Sequence, residues 1–387
     1  MASPRRRAGC TDARCRWMSC CAACPKACGR RRARRNPSRG KCPPARRGAT
    51  CYLFAALMFL TAVRRRPGSS ARHGKGGRMP GERGRQTRRE DGKPHAGGPG
   101  RLTHAERVID PASGLTKGDL ARYYTQAAPL MRPYLKGRPV SLVRAPSGIG
   151  GDLFFQRHMD AAMPGARLLP ESLYPGHPPL LELPTPRAVL AAVQMNAIEF
   201  HTWNAVKTAI DKPDRIVFDL DPGEGVPWEN VRQAARVLRA LLSEIGLDAW
   251  LKTSGGKGLH VLVPLRRQHG WETTKDFSAA LVRHLAQAWP QLFVAKSGPR
   301  NRVGRIYADY LRNGFGATTV APWSARARPG LPISVPISWD ELEQVRGGAH
   351  WTIADARERL DIGNRPWDGY APQALGKAMA ALGSRPS

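Results

Sequence analysis

The chain has 387 residues and a formal net charge of +32, with 62 Lys and Arg against 30 Asp and Glu. That length holds two domains, or equally one domain of about 250–290 residues with a tail. The charge predicts salt-dependent binding to nucleic acid. The only long apolar run, residues 51–63, falls short of the roughly 20 residues a spanning helix needs and begins too late for an ordinary signal peptide, so no membrane anchor is expected.

Residues 1–100 carry 26 Lys and Arg against 4 Asp and Glu. Arg, Gly, Pro, Ala and Cys dominate, with little apolar periodicity, so burial cannot offset the entropy of ordering and disorder is expected. All eight cysteines lie between Cys10 and Cys51. Cys21, Cys24 and Cys28 have spacings a zinc site uses, but the arginine runs and the missing second knuckle argue against a folded finger. The absence of cysteine elsewhere fits a reducing compartment. A misassigned start or a remnant of a larger gene explains this segment as well as a function does.

From Arg101 the composition changes, and residues 101–380 are expected to form one domain. Residues 120–135 have apolar positions at helical spacing, broken by Pro129 and Pro133. Residues 137–144 and 153–157 read as strands, 188–195 as a helix and 197–201 as a strand. Residues 230–245 form a strong amphipathic pattern that ends before Gly246. Strands are expected at 249–253 and 259–263, a helix at 277–288, and a strand at 305–309. The alternation is α/β, and the short return around 253–263 points to mixed rather than uniformly parallel sheets.

Two motifs carry chemistry. In Asp219-Leu220-Asp221-Pro222 the two acids project from one face of a strand, which Pro222 and Gly223 end. Carboxylates so close repel unless a cation neutralises them, and Mg²⁺ or Mn²⁺ prefers such oxygen ligands. A third acid, Asp309, would complete a site for two ions about 3.5–4 Å apart, suited to in-line attack on phosphate. Taken alone, an Asp-x-Asp more often caps a loop. The second motif is Thr253-Ser254-Gly255-Gly256-Lys257-Gly258-Leu259-His260. Its glycines let backbone N–H groups approach an anion, Lys257 adds charge, and Ser254 and His260 can donate hydrogen bonds. It is no Walker motif, which has four residues between its first glycine and Gly-Lys. A glycine-rich hairpin with a surface lysine is the alternative for this segment by itself.

These residues, with Asp309-Tyr310-Leu311-Arg312-Asn313-Gly314 and Ala321-Pro322-Trp323-Ser324-Ala325-Arg326-Ala327-Arg328, resemble the polymerase domain of bacterial ATP-dependent DNA ligase D, of the archaeo-eukaryotic primase superfamily. The similarity runs over residues 102–375 and includes the entry segment 102–124. It implies a primase-like polymerase fold of mixed β-sheets flanked by helices. It also implies a nucleotidyltransferase that extends a primer 3′-hydroxyl with ribo- or deoxyribonucleotides, releasing pyrophosphate, in gap filling and end extension during non-homologous end joining. Two Mn²⁺ or Mg²⁺ ions are implied as cofactors and NTP or dNTP as substrate.

By position in the family pattern, Asp219, Asp221 and Asp309 would hold the ions. Ser254, Lys257, His260, Arg302 and Arg326 match nucleotide-phosphate contacts, and His201 a histidine near the incoming sugar. Arg302 and Arg326 also read as ordinary surface arginines, and His201 as a bonded core histidine. Arg107 and Lys117 match two basic positions that grip a 5′-phosphate, giving position without sequence preference. Phe154 and Phe155 match an aromatic pair that stacks on the template, with Arg144 near them; in a strand one ring is expected to be buried while the other stacks. The implied partners are DNA ends bearing a 5′-phosphate, gapped or overhanging, a Ku-type end-binding protein and a ligase, fused or separate. The implied location is the cytoplasm, at the bacterial nucleoid.

The sequence departs from the pattern in three places. Arg107 replaces a more usual lysine, keeping charge but changing its geometry. Phe315 stands where a basic residue is frequent, and Trp323 where tyrosine is usual. Neither the lysine nucleophile motif of a ligase domain nor the histidine-rich metal site of a phosphoesterase domain is present in the sequence, so neither activity is expected of this chain. The alternative reading is a catalytically decayed module that binds nucleic acid and bridges or recruits DNA ends.

Overall fold

The computed structural model describes residues 102–158 and 163–383. The expectations for residues 1–100, including disorder, the cysteine spacings and the apolar run, lie outside the described residues. In chain order the elements are β1 (Val108–Asp110), β2 (Leu115–Thr116), α1 (Lys117–Leu135), β3 (Val140–Arg144), β4 (Phe154–Gln156), β5 (Arg167–Leu168), β6 (Leu181–Glu182), α2 (Pro186–Gln194) and β7 (Ala197–Trp203). They continue with β8 (Arg215–Pro222), α3 (Trp228–Glu244), β9 (Trp250–Thr253), β10 (Leu259–Pro264), α4 (Trp271–Ala288), β11 (Phe293–Val294), β12 (Ile306–Asp309), β13 (Thr318–Val320), β14 (Pro336–Ile337), α5 (Arg357–Ile362) and α6 (Gly376–Ala381).

Two larger sheets organise these residues. One has the order β11-β12-β8-β10-β9-β14, and the other β13-β7-β3-β6-β5 with β4 paired to β3. The first is mixed, because β11 runs parallel to β12 while the other pairs are antiparallel, as the sequence predicts. Residues 253–263 are a tight antiparallel return between β9 and β10.

Local sequence explains the elements. In β8 the even positions Ile216, Phe218 and Leu220 are fully buried, leaving the acids to the other face. Helix α3 buries Val231, Ala234, Ala235, Leu238, Leu241 and Leu242, a stripe at three- and four-residue spacing. It ends where Gly246 takes φ +79°, with Gly246 N–H donating to Ser243 and Leu247 N–H to Leu242, the paired bonds of a Schellman stop. Helix α1 starts on a capping box between Thr116 and Asp119.

Helix α1 corrects one expectation: it is continuous through Pro129 and Pro133. Each interior proline costs about 3 kcal/mol. Opposing that cost, the helix buries Leu120, Tyr123, Tyr124, Ala127, Ala128, Met131 and Leu135, and Asn364 Nδ2 donates to the Leu130 carbonyl between the prolines. Tertiary burial therefore overrides the local break.

The sheets are tied together by buried polar groups. Arg215, at the start of β8, donates to Asn204 Oδ1, Thr202 Oγ1 and the Trp203 carbonyl. Burial lowers its pKa to about 10, so the guanidinium stays charged at neutral pH. Ser324 Oγ accepts from Phe200 N–H on β7. Trp323 is fully buried with φ +67°, its indole N–H donating to Asn364 Oδ1. No helix among the described residues is long and apolar enough to cross a membrane.

Candidate active site

Register brings the three acids together. β10 and β12 flank β8, setting His260 opposite Asp219 on one side and Asp309 opposite Asp219 on the other. Residues directly opposite in a sheet share a face, so Asp219, Asp221, Asp309 and His260 project from the same surface. His260 Nε2 lies 3.3 Å from Asp219 Oδ1. Arg312 Nε is 3.1 Å from Asp309 Oδ2 and 3.9 Å from Asp219 Oδ2, and Arg302 Nη1 is 2.5 Å from Asp221 Oδ2.

The electrostatics are uneven. Burial works to raise the Asp219 pKa, but His260, Arg312 and Lys252 outweigh it and hold the carboxyl well below its usual range. Asp221 is pushed up by burial and by the Asp219 charge, against Arg302. Asp309 is likewise pushed up, by burial and by both neighbouring acids, against Arg312. One firmly ionised carboxylate thus stands beside two whose ionisation is penalised, an arrangement that a cation relieves.

As they stand, no three His, Cys, Asp or Glu side chains among the described residues converge to hold an ion. The guanidinium groups of Arg302 and Arg312 supply the positive charge instead. The donor set still fits a hard divalent cation in kind, since all three groups are carboxylates on one face and repel one another. Asp219, Asp221 and Asp309 are the residues that would hold it.

The glycine loop lies beside them. Ser254 Oγ accepts from Gly256 N–H and Gly258 N–H, which shapes the loop. A Cβ on Gly258 would fall 1.9 Å from the Leu220 carbonyl oxygen, and one on Gly223 1.7 Å from that of Arg302. Glycine at these positions lets the loop and the Arg302 segment close on the carboxylate strand. Lys257 is exposed and near enough to Asp221 to favour its ionised form. A cavity of about 650 Å³ opens beside the loop, lined in part by Gly223, Lys257, Arg346 and His350.

His260 is buried, and its Nδ1 has no hydrogen-bond partner among the described residues. Burial and the Lys252 charge lower its pKa to about 4. Lys252, opposite His260 on β9, donates to Ser334 Oγ at 2.6 Å, and burial forces its pKa well down.

On the second sheet, Glu199 Oε2 accepts from His201 Nε2 at 2.7 Å and from Arg326 Nε at 2.9 Å, and Glu199 Oε1 accepts from Ala327 N–H at 2.8 Å. Arg326 Nη1 also donates to the Ser254 carbonyl at 2.8 Å. His201, Arg326 and the glycine loop are therefore one connected network. Burial would raise the Glu199 pKa, but the bonds from His201, Arg326 and Ala327 outweigh it and bring it to about 2. Burial lowers the His201 pKa, with Glu199 opposing.

The remaining predicted site residues lie on the segment that leads into and begins α1, and on β3 and β4. Arg107 donates to the Pro146 carbonyl and Asn196 Oδ1, and Lys117 Nζ to the Gln194 carbonyl. Lys117 is 3 % exposed; burial first, then Arg107, lowers its pKa. Arg144 donates to the Met195 carbonyl and Gln156 Oε1. Phe154 and Phe155 are 54 % and 49 % exposed, which corrects the expectation that one is buried: β4 pairs with β3, and the Phe155 ring makes an edge contact with His201 but stays half-exposed. Phe315 is half-exposed against Trp203 and Tyr174.

Sequence reasoning missed Glu199, Lys252 and Arg312. Glu199 stands two residues before His201 on the same face, the same spacing that marks the Asp pair, and Arg312 stands three after Asp309. Lys252 had no local signal.

Comparison with known proteins decides the family. The model of the LigD primase-polymerase domain matches residues 116–367. The chain belongs to this family. LigD primase-polymerase domains are nucleotidyltransferases that use a nucleotide substrate and depend on metal ions. Among curated relatives, the multifunctional non-homologous end joining protein LigD of Pseudomonas aeruginosa is 50% identical over 274 residues, 70% of this chain and 33% of that protein. Its Mycolicibacterium smegmatis counterpart is 33% identical over 266 residues, 67% of this chain and 34% of that protein. The chain thus spans about a third of the length of these LigD proteins. The solved polymerase domain of Mycobacterium tuberculosis ligase D, in complex with DNA, superposes with a TM-score of 0.62 at 29% identity, covering 72% of this chain and 98% of that one.

Proposed function

We propose that this chain adds ribo- or deoxyribonucleotides to a primer 3′-hydroxyl in gap filling and end extension during bacterial non-homologous end joining. The observation that carries the reading is the in-register pairing of Asp309 with Asp219, which sets three carboxylates on one face beside the Ser254–Lys257 loop. In this reading the primer 3′-oxygen attacks the α-phosphate and pyrophosphate leaves. Asp219, Asp221 and Asp309 would hold the ions. When bound, Mn²⁺ or Mg²⁺ neutralises the triphosphate and makes the 3′-hydroxyl easier to deprotonate.

The chain's own residues supply position and charge. Ser254, Lys257 and His260 contact the phosphates of the nucleotide, while Arg302 and Arg326 neutralise the triphosphate. His201 faces the sugar. Arg107 and Lys117 grip the downstream 5′-phosphate, and Arg144, Phe154 and Phe155 support the template. Partners under this reading are DNA ends carrying a 5′-phosphate, a Ku-type end-binding protein and a ligase, in the cytoplasm at the nucleoid. The 101–380 boundaries are proposed for the polymerase domain, and the family match over residues 116–367 does not favour the decayed-module alternative.

The test is primer extension on a gapped duplex with a 5′-phosphate, with Mn²⁺ or Mg²⁺ and separately labelled ribo- and deoxyribonucleotides. Templated addition by the wild type, lost in Asp309→Ala, is the expected result. Failure of folded, DNA-binding wild-type protein to add any nucleotide overturns the reading.

A further inference from the structure

Glu199 is a buried carboxylate shared by two side chains that the proposed function places on the nucleotide. Its side chain is 7% exposed and that of His201 14%. On β7 the two are separated by one residue and share a face. Val143 of β3 lies opposite both Glu199 and Phe155, so Phe155 projects from that face as well. The exposed Phe155 ring meets the His201 ring edge-on at 5.9 Å between centroids. On this face the Phe155 ring, which suits a template base, lies to one side of His201, and Arg326 bonded to the Ser254 carbonyl, where cations and loop N–H groups suit phosphates, lies to the other. A nucleotide whose base pairs with that template and whose phosphates meet those cations has its sugar between them, at His201.

A carboxylate only accepts hydrogen bonds. Glu199 Oε2, 2.7 Å from His201 Nε2, therefore fixes the hydrogen on Nε2. In the neutral ring that burial favours, Nδ1 is then a lone-pair acceptor. Among the described residues the His201 ring bonds through Nε2, and its side chain keeps 14% exposure, so Nδ1 is the nitrogen left for a ligand. A ribose 2′-hydroxyl can donate to it; a 2′-deoxy carbon cannot.

We infer that Glu199 is a positioning residue for sugar discrimination: it locks His201 in the tautomer whose Nδ1 accepts from the 2′-hydroxyl of a ribonucleotide, and through Arg326 fixes that acceptor relative to the phosphates. This rests on the nucleotidyltransferase reading above. Glu199→Gln breaks the device while keeping volume. An amide presents one oxygen, so it cannot accept both from Ala327 N–H and from the His201–Arg326 pair, and its NH₂ group can donate to Nε2 and reverse the tautomer.

The experiment measures binding of ATP, 2′-deoxy-ATP and 2′-fluoro-2′-deoxy-ATP to the full chain with Mn²⁺, by calorimetry, alongside extension kinetics with the same nucleotides. The wild type is expected to bind ATP about three- to tenfold tighter than either analogue, the value of one hydrogen bond, because fluorine at the 2′ position cannot donate. In Glu199→Gln the preference is expected to collapse to within about twofold, with KM for ATP rising and KM for the deoxynucleotide little changed. A general structural defect would move both alike. Equal binding of ATP and the 2′-fluoro analogue by the wild type overturns the inference without any variant, and so does a folded Glu199→Gln that keeps the wild-type preference. A wild type that binds none of the three nucleotides overturns the nucleotidyltransferase reading and this inference with it.

Discussion

Asp309 lies directly opposite Asp219 across the antiparallel pair of β12 and β8, and Arg312 reaches both carboxylates. Burial and neighbouring acids oppose ionisation of Asp221 and Asp309 in the folded chain, at the face where the proposed reading puts the chemistry. Asp309→Asn is therefore expected to lower extension by about a thousandfold or more while raising the melting temperature of metal-free protein at pH 7. For Asp221 and Asp309 the folded pKa is raised. The destabilisation is thus present when both states are ionised and is relieved as pH falls through the folded value. Thermal melts of wild type and Asp309→Asn at pH 7 and pH 4 check this, and the gap between them should narrow at pH 4.

Glu199 has the opposite sign. Its pKa falls from 4.5 to about 2 on folding, so its stabilisation is present above the unfolded value and lost as pH drops through the folded one. Replacing it by Gln is expected to cost about 3 kcal/mol at pH 7. Urea denaturation of both proteins should show the difference shrinking between pH 4.5 and pH 2.

Phe154 and Phe155 are half-exposed, and their truncation removes little buried area. Each Phe→Ala change is expected to leave the melting temperature nearly unchanged. The ring that stacks should weaken binding of gapped DNA by about 1–3 kcal/mol, read by fluorescence anisotropy at fixed salt. Lys117→Ala should differ, lowering both DNA affinity and stability, because its ammonium is buried against the Gln194 carbonyl.

Gly258→Ala forces a methyl group to within 1.9 Å of the Leu220 carbonyl oxygen. Backbone must shift on both strands, so a loss of about 1–3 kcal/mol or more is expected, together with weaker nucleotide binding as the loop leaves β8. Gly225→Ala is the control: its φ is +75° but no atom lies within 4 Å of an added Cβ, so only the smaller backbone strain remains. Thermal melts of the two variants separate clash from strain.

Much of this was written locally. The alternation in residues 215–222 put Asp219 and Asp221 on one face, the apolar stripe of α3 and its stop at Gly246 marked a helix, and the glycines of residues 255–258 marked a tight return. Each signal depends on neighbours in sequence, whose geometry is set by the backbone period. The pairing of Asp309 with Asp219 depends instead on register between strands some ninety residues apart, which is chosen by side-chain burial across the whole sheet. Packing likewise carried α1 through its two prolines and left both rings of β4 half-exposed. It also brought Arg326 to Glu199 and Lys252 opposite His260. The sequence determined the chemical groups and the local shapes that carry them; tertiary structure decided which groups meet, because burial and hydrogen bonding between distant segments are settled only when the chain has closed on itself.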